Sequence, residues 1–214
     1  MAGNARYRIR AAAESTYEVL VYDHVGKDFF GDGVSAEDLV VELAQVEATT
    51  IHTRINSFGG DVFEGLAIFN ALESHPARVV THIDGVAASI ASIIALAADE
   101  VLIADNAFLM VHNPHTVAGG DSRVMRKTAD LLDKVGGSLS AIYARKAGVP
   151  EVTAQEWMDA ETWFTAAEAV EAGLAHSVTD EEPAMAAPID PTAWISKAPA
   201  RIAAMLVDSS TKTS

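Results

Sequence analysis

Two rhythms of hydrophobic and polar positions alternate along this chain. Residues 17–25, YEVLVYDHV, mix β-branched and aromatic side chains in the manner of a strand, and the KDFFGDG that follows is rich in turn formers. Ser35 then caps a predicted helix through Leu43, with Asp38 at the capping-box position and Leu39, Val40 and Leu43 on one side. The pattern repeats. TIHTRIN (50–56) reads as a strand and FGG as a tight loop, and Asp61 with Glu64 opens a helix through Ala71 that His75 and Pro76 stop. Arg78 to Asp84 forms a third strand, GVAAS (85–89) turns the corner, and Ile90 to Ala98 forms a helix. VLIA (101–104) and FLMVH (108–112) return as strands. Strands alternating with helices predict an α/β fold with a mainly parallel sheet covered on both faces.

Asp121 opens a long helix to about Lys146, with Val124, Leu131, Leu132, Val135, Leu139 and Ile142 as its apolar stripe. Gly136 and Gly137 interrupt it and predict a kink or a close approach. Thr153 with Glu156 and Thr165 with Glu168 mark two short helices, the second ended by Gly173. From Glu181 onward Ala, Pro, Ser and Thr dominate, which predicts a mobile or loosely attached tail in which Ile202, Met205 and Leu206 could form a short docking helix. The expected organisation is an N-terminal segment (1–16), one folded domain (17–180) and a tail (181–214).

Composition narrows the chemistry. Half of the 214 residues are hydrophobic, enough for one sizeable core. A net charge of −15 repels phosphate backbones and anionic membranes, so neither nucleic acid nor a membrane is an expected partner. The absence of cysteine excludes disulfides, thiolate catalysis and thiolate metal sites, and makes a cytoplasmic setting the default. The first residues carry three arginines with no apolar run behind them, unlike a secretory signal. Val86 to Ala98 is too short for a bilayer span of roughly 20 residues and reads as a buried helix.

Against that background three features suggest acyl chemistry. Ser89 lies among Gly85, Ala87 and Ala88, which leave room for a substrate backbone. A helix starting there would aim the Ile90 N–H at an oxygen becoming negative during attack. Gly59 and Gly60 end the preceding strand on the side where open α/β sheets bind ligands, and Gly60 is the candidate for a second donor. His112 ends an apolar strand in which Met110 and Val111 alternate between core and surface, and His115 in the next loop is its rival as base. Singly each feature has a bland reading, as packing, a structural histidine or a turn; their order along an alternating chain gives them weight.

INSFGGDVFEGLAIFNAL (55–72), DGVAASIASIIALAAD (84–99), FLMVHNP (108–114) and ETWFTAAEAVEAGLAHSV (161–178) resemble the successive signature blocks of the Clp protease proteolytic subunit family. The likeness covers roughly residues 17–178, and FFGDGVSAEDL (29–39) is most similar to the Clp-like head maturation proteases of tailed phages and prophages. The resemblance implies a ClpP/crotonase-like spiral of strand-helix units with a long handle helix. It also implies a serine endopeptidase that needs neither metal nor organic cofactor. It puts the nucleophile on Ser89, the base on His112 and the oxyanion donors on Gly60 and Ile90. The acidic member falls on Glu161, where the family usually has aspartate, and Asp159 is the reserve. Phe58 stands where the family's loop commonly has proline.

Substrate is expected along Gly59 and along Thr116, Val117, Ala118 and Gly119, the place of a family strand that pairs with extended peptides. The implied partners are polypeptide substrates and further copies of the chain, in a heptameric ring or stacked heptamers. Beyond these stands either an AAA+ unfoldase or phage capsid and scaffold proteins. A crotonase-like acyl-CoA enzyme and a catalytically decayed ring-forming assembly protein are the alternatives.

Overall fold

The computed structural model describes residues 7–13, 15–27 and 33–180. The expectations for the tail, including Ile202, Met205 and Leu206, for residues 1–6 and 14 of the N-terminal segment and for residues 28–32 of the turn-rich loop lie outside the described residues. The first element, β1 (Tyr7–Ala13), falls in the segment read from sequence as lying before the domain, and it pairs antiparallel with β2 (Thr16–Val21). Its run of alanines gives no strand-like alternation, and it is the register with β2 that makes it a strand.

Helix α1 (Ala36–Leu43) follows, capped by Ser35, whose side chain accepts from the Asp38 N–H. Then come β3 (Thr50–Ser57) and α2 (Val62–Glu73). Asp61 caps α2 by accepting from Phe63 N and Glu64 N at 2.8 and 3.0 Å. Glu64 does not close a capping box; its carboxylate accepts instead from Ala36 N at 2.7 Å and so ties α1 to α2. Strands β2, β3, β4 (Arg78–Ala88), β5 (Glu100–Ala104) and β8 (Ser177–Thr179) lie side by side in parallel, with α3 (Ile90–Ala95) between β4 and β5 in the chain. Val19, Val21, Ile51, Ile55, Val79 and Ile83, two or four residues apart within each strand, are buried on one face of that sheet with Leu39, Ile68, Phe69 and Leu72 of the helices.

The corner expected at GVAAS is a strand instead. Through Ile83, β4 pairs with β5; from Val86 to Ala88 it pairs with β6 (Phe108–Val111). The change of partner falls at Gly85, where a Cβ would stand only 2.7 Å from Asn56 Oδ1, and the β3 register shifts between Ile55 and Ser57 at the same level. Just before that point Arg54 grips the Asp84 carboxylate with two bonds, at 2.8 and 3.0 Å, and Tyr22 donates to the same carboxylate. A buried ion pair adds little net stability but costs much when one partner is lost, so it fixes where the strand turns aside.

β6 also pairs with β7 (Thr162–Thr165), an antiparallel strand that follows α4 (Ser122–Ala147) and α5 (Glu151–Asp159) and leads into α6 (Ala166–Glu171). The long helix runs unbroken for 26 residues; a Cβ on Gly136 would meet Pro114 at 3.7 Å, whereas one on Gly137 would meet nothing within 4 Å. Pro150, not Thr153, is the N-cap of α5: the fixed proline φ starts the helix earlier, and Thr153 lies inside its first turn. Thr165 and Glu168 form the expected reciprocal capping box, and Gly173 takes the left-handed φ of +76° just beyond α6. Helix α3 stops at Ala95, three residues short of expectation, because Leu96 and the following turn lead to Asp99, whose carboxylate accepts from Val79 N at 2.8 Å. Among the described residues no helix is long and apolar enough to cross a membrane.

Candidate active site

The partner switch of β4 decides where Ser89 lies. Because the strand ends against β6, Ser89 N donates to Met110 O at 3.0 Å, and the serine stands beside the end of β6 where His112 follows. Ser89 has φ +56° and ψ −131°, a conformation that glycine normally occupies and that costs on the order of 1–3 kcal/mol for other residues. The next peptide turns directly into α3, so the side chain stands clear of both the strand and the helix. His112 Nε2 lies 2.7 Å from Ser89 Oγ.

Both nearest strand neighbours of the histidine are buried, Met110 at 3% and Val111 at 0% exposure, in place of the expected alternation. The reason is that β6 is an interior strand, flanked by β4 and β7. Burial pulls the His112 imidazole below its ordinary pKa, the neighbouring His115 adds to that, and the Glu161 charge acts in the opposite direction. Glu161 follows the end of α5 in a left-handed conformation, φ +50°, which brings it to the start of β7, the strand paired with β6. Asp159 is engaged elsewhere: it accepts from Asn113 Nδ2 at 2.7 Å and from Gln155 Nε2 at 2.8 Å. His115 meets the His112 ring edge-on, with centroids 5.3 Å apart.

The glycine loop lies on the other side of the serine. Gly59 and Gly60 have φ of +92° and +155°, and neither position has room for a side chain. A Cβ on Gly59 would meet Ala88 O at 2.8 Å and Ser89 Cβ at 2.9 Å; one on Gly60 would meet Val25 O at 2.1 Å. The loop is held by Val25, whose N–H donates to Gly59 O and whose carbonyl accepts from Asp61 N. Those bonds pass over the Gly60 N–H, which donates to no acceptor among the described residues. The Ile90 N–H, first in α3, has no helical acceptor either. Ser57 braces the loop from within: its Oγ donates to Asp23 O and accepts from Gly59 N at 3.1 Å.

A cleft of about 290 Å³ opens over these groups, lined by Ser89, Ile90, Gly60 and His112 together with the apolar Phe63, Leu131, Leu132 and Val135. From His112 to Gly119 the chain has no regular secondary structure, and Thr116, Val117, Ala118 and Gly119 are exposed. The structure thus brings Ser89, His112, Gly59, Gly60 and Ile90 together, with Thr116 on the cleft wall and Glu161 acting on the histidine. Sequence reasoning missed Ser57, and also Ser92 and Tyr143, whose hydroxyls lie 2.7 Å apart behind the serine. A buried serine and a buried tyrosine on facing helices were the available signal for that pair, because a buried hydroxyl needs a partner.

A hydroxyl and an imidazole in contact beside an apolar cleft, on a mainly parallel α/β sheet, are an arrangement that serine-type hydrolases use. The Clp protease family matches residues 2–182, and this chain belongs to that family. It is 32% identical over 155 residues to an ATP-dependent Clp protease proteolytic subunit 1 of Streptomyces avermitilis, covering 70% of this chain and 71% of that protein. It is 30% identical over 179 residues to a subunit of the same name from Protochlamydia amoebophila, covering 80% and 84%. The fold matches that of a ClpP1 variant from Listeria monocytogenes with a TM-score of 0.66, at 23% identity over 77% of this chain and 91% of that one. The enzyme class that follows is a peptidase of the serine type.

Proposed function

We propose that the chain is an endopeptidase in which Ser89 is the nucleophile, His112 the general base and Glu161 the acidic member. The 2.7 Å contact between Ser89 Oγ and His112 Nε2 carries this reading. Ser89 Oγ attacks the peptide carbonyl as His112 takes its proton, and the Glu161 charge favours the imidazolium that forms. The N–H groups of Gly60 and Ile90 stabilise the carbonyl oxygen as it becomes negative. His112 returns the proton to the departing amine, and water then releases the acyl group by the same route in reverse. The apolar walls of the cleft suit an apolar side chain beside the cleaved bond, and the exposed backbone at Thr116 to Gly119 suits pairing with an extended peptide through main-chain bonds.

The peptidase unit is residues 17–180, with β1 of the preceding segment added to its sheet, and it works as a homo-oligomeric ring. The apolar side chains left exposed on the N-terminal half of α4, Val124, Met125 and Leu131, support contact between copies. The relatives named as ATP-dependent suggest polypeptides delivered by an unfoldase. The resemblance of residues 29–39 to phage enzymes suggests instead the trimming of capsid or scaffold proteins, without an ATPase. Digestion of casein with and without an unfoldase and ATP separates these two.

The central test is Ser89→Ala. The variant is expected to keep the fold, lose labelling by a fluorophosphonate, and lose peptide cleavage by a factor on the order of 10⁶. Cleavage at the wild-type rate by Ser89→Ala would overturn the assignment.

A further inference from the structure

We propose that Ser92 and Tyr143 are positioning residues that aim the Ile90 N–H at the substrate oxygen, by holding the carbonyl at the other end of the same peptide group. The proposal rests on the reading of Ser89 as nucleophile and Ile90 N–H as oxyanion donor.

A trans peptide is planar, with its C=O and N–H pointing in opposite directions. The peptide joining Ser89 to Ile90 is trans, so whatever fixes the Ser89 carbonyl fixes the Ile90 N–H. Ser92 donates twice to that carbonyl, from Oγ at 2.6 Å and from N at 3.0 Å, and Tyr143 OH lies 3.5 Å from it. Ser92 has one hydroxyl proton and uses it on Ser89 O. In the 2.7 Å contact between Ser92 Oγ and Tyr143 OH, the phenol is therefore the donor. The result is a directed chain from Tyr143 on α4, through Ser92 on α3, to the carbonyl of the nucleophile.

Both hydroxyls are out of water, with Ser92 at 0% and Tyr143 at 1% exposure, so neither can be replaced there by solvent without a cost. Burial also pushes the Tyr143 phenol pKa far up, which keeps it a neutral donor throughout the working pH range. The chain explains how a non-glycine residue is kept at φ +56°, since such a conformation persists only where its surroundings over-determine it. Opposite the carbonyl, α2 closes on the Ile90 side chain at Gly65, where a Cβ would meet Ile90 Cγ1 at 2.2 Å. The peptide is thus held at its carbonyl by hydroxyls and at its far end by packing.

Tyr143→Phe and Ser92→Ala are compared with wild type by the rate at which a fluorophosphonate phosphonylates Ser89. In that reaction the Oγ–P bond forms, the P–F bond breaks with loss of fluoride, and the serine proton goes to His112. The phosphoryl oxygen occupies the place of the oxyanion, so a tilted Ile90 N–H lowers the maximal labelling rate and leaves probe binding alone. Each variant is expected to lower that rate about tenfold with the half-saturating probe concentration within about twofold, because the donor is misdirected but not removed. The double variant should lose little more than either single one, since both break the same chain.

Ser140→Ala removes another buried hydroxyl of α4, one that bonds to Glu151 O, and is expected to label like wild type. Unchanged labelling rates in folded Tyr143→Phe and Ser92→Ala, or a change in probe affinity alone, would overturn the proposal. Tyr143→Phe preserves the buried ring, so it carries the test if Ser92→Ala does not fold. A wild-type protein that reacts at a residue other than Ser89 overturns the underlying reading, and that result is visible before any variant is made.

Discussion

At His112 two neighbours act with opposite sign on one proton. Burial and His115 lower the imidazole pKa, while Glu161 raises it. A base must be neutral to accept the serine proton, so activity rises with pH through the His112 pKa and its acid limb lies below the ordinary imidazole value. Removing the Glu161 charge takes away support for the imidazolium, and Glu161→Gln should move the acid limb to still lower pH. His115→Asn removes the neighbour that opposes the imidazolium and should move the limb to higher pH. A pH–rate profile of kcat/KM for the two variants checks both directions. Glu161→Gln is also expected to lower kcat by roughly 10³- to 10⁴-fold, as when the orienting carboxylate of a triad becomes an amide. Asp159→Asn should stay within about twofold of wild type, because Asp159 is an exposed partner of Asn113 and Gln155 and not a neighbour acting on the imidazole. Equal losses for the two carboxylates would make Asp159 the orienting group after all.

Among the helices, glycines that look alike in sequence have opposite roles. Gly65 lies inside α2, where glycine costs roughly 1 kcal/mol against alanine, yet a Cβ there would press within 2.2 Å of Ile90 Cγ1. Gly137 lies inside α4 with nothing within 4 Å of its would-be Cβ. Gly65→Ala is therefore expected to destabilise the protein by about 1–3 kcal/mol through overpacking. Gly137→Ala should stabilise it by about 0.5–1 kcal/mol. Thermal unfolding reads both as shifts of roughly 2–4 °C per kcal/mol for a domain of this size.

The same contrast marks what local pattern could disclose. Ser35, Asp61, Asp121 and Thr165 announce their helices because a cap is a local bond. Ser89, His112 and the glycine pair stood out because their chemistry demands particular residue types. The continuation of β4 through Gly85 to Ala88 was hidden, since glycine and alanine are poor strand formers and only pairing with β6 makes them a strand. β1, β7 and β8 are invisible for a related reason: short segments such as TWFT and SVT acquire strand structure from partners far away in the chain. The link from Tyr143 to Ser92 spans 51 residues, and no spacing rule reaches so far.

For the whole molecule, α4 is buried at one end and bare at the other. Val135, Leu139 and Tyr143 sit in the core, whereas Val124, Met125 and Leu131 on the same helix are 41%, 42% and 51% exposed. Apolar side chains gathered on an exposed helix end mark a surface awaiting contact. Leu131 also lines the cleft, so whatever covers this end of α4 adjoins the site. The opposing force is charge. Each chain carries −15, and copies brought together repel one another until salt screens them, over a Debye length of about 8 Å at physiological ionic strength. Apolar burial is not weakened in this way, so association through this surface should strengthen as salt is raised from about 0.01 to 0.15 M. Val124→Glu with Met125→Glu replaces two exposed apolar side chains, neither of which lines the cleft, by two negative charges. It should yield smaller particles at every salt concentration while labelling of Ser89 by the fluorophosphonate continues. Sedimentation or native mass spectrometry across a salt series checks this. An assembly that falls apart as salt increases would mean that ion pairs, and not the bare half of α4, hold the copies together.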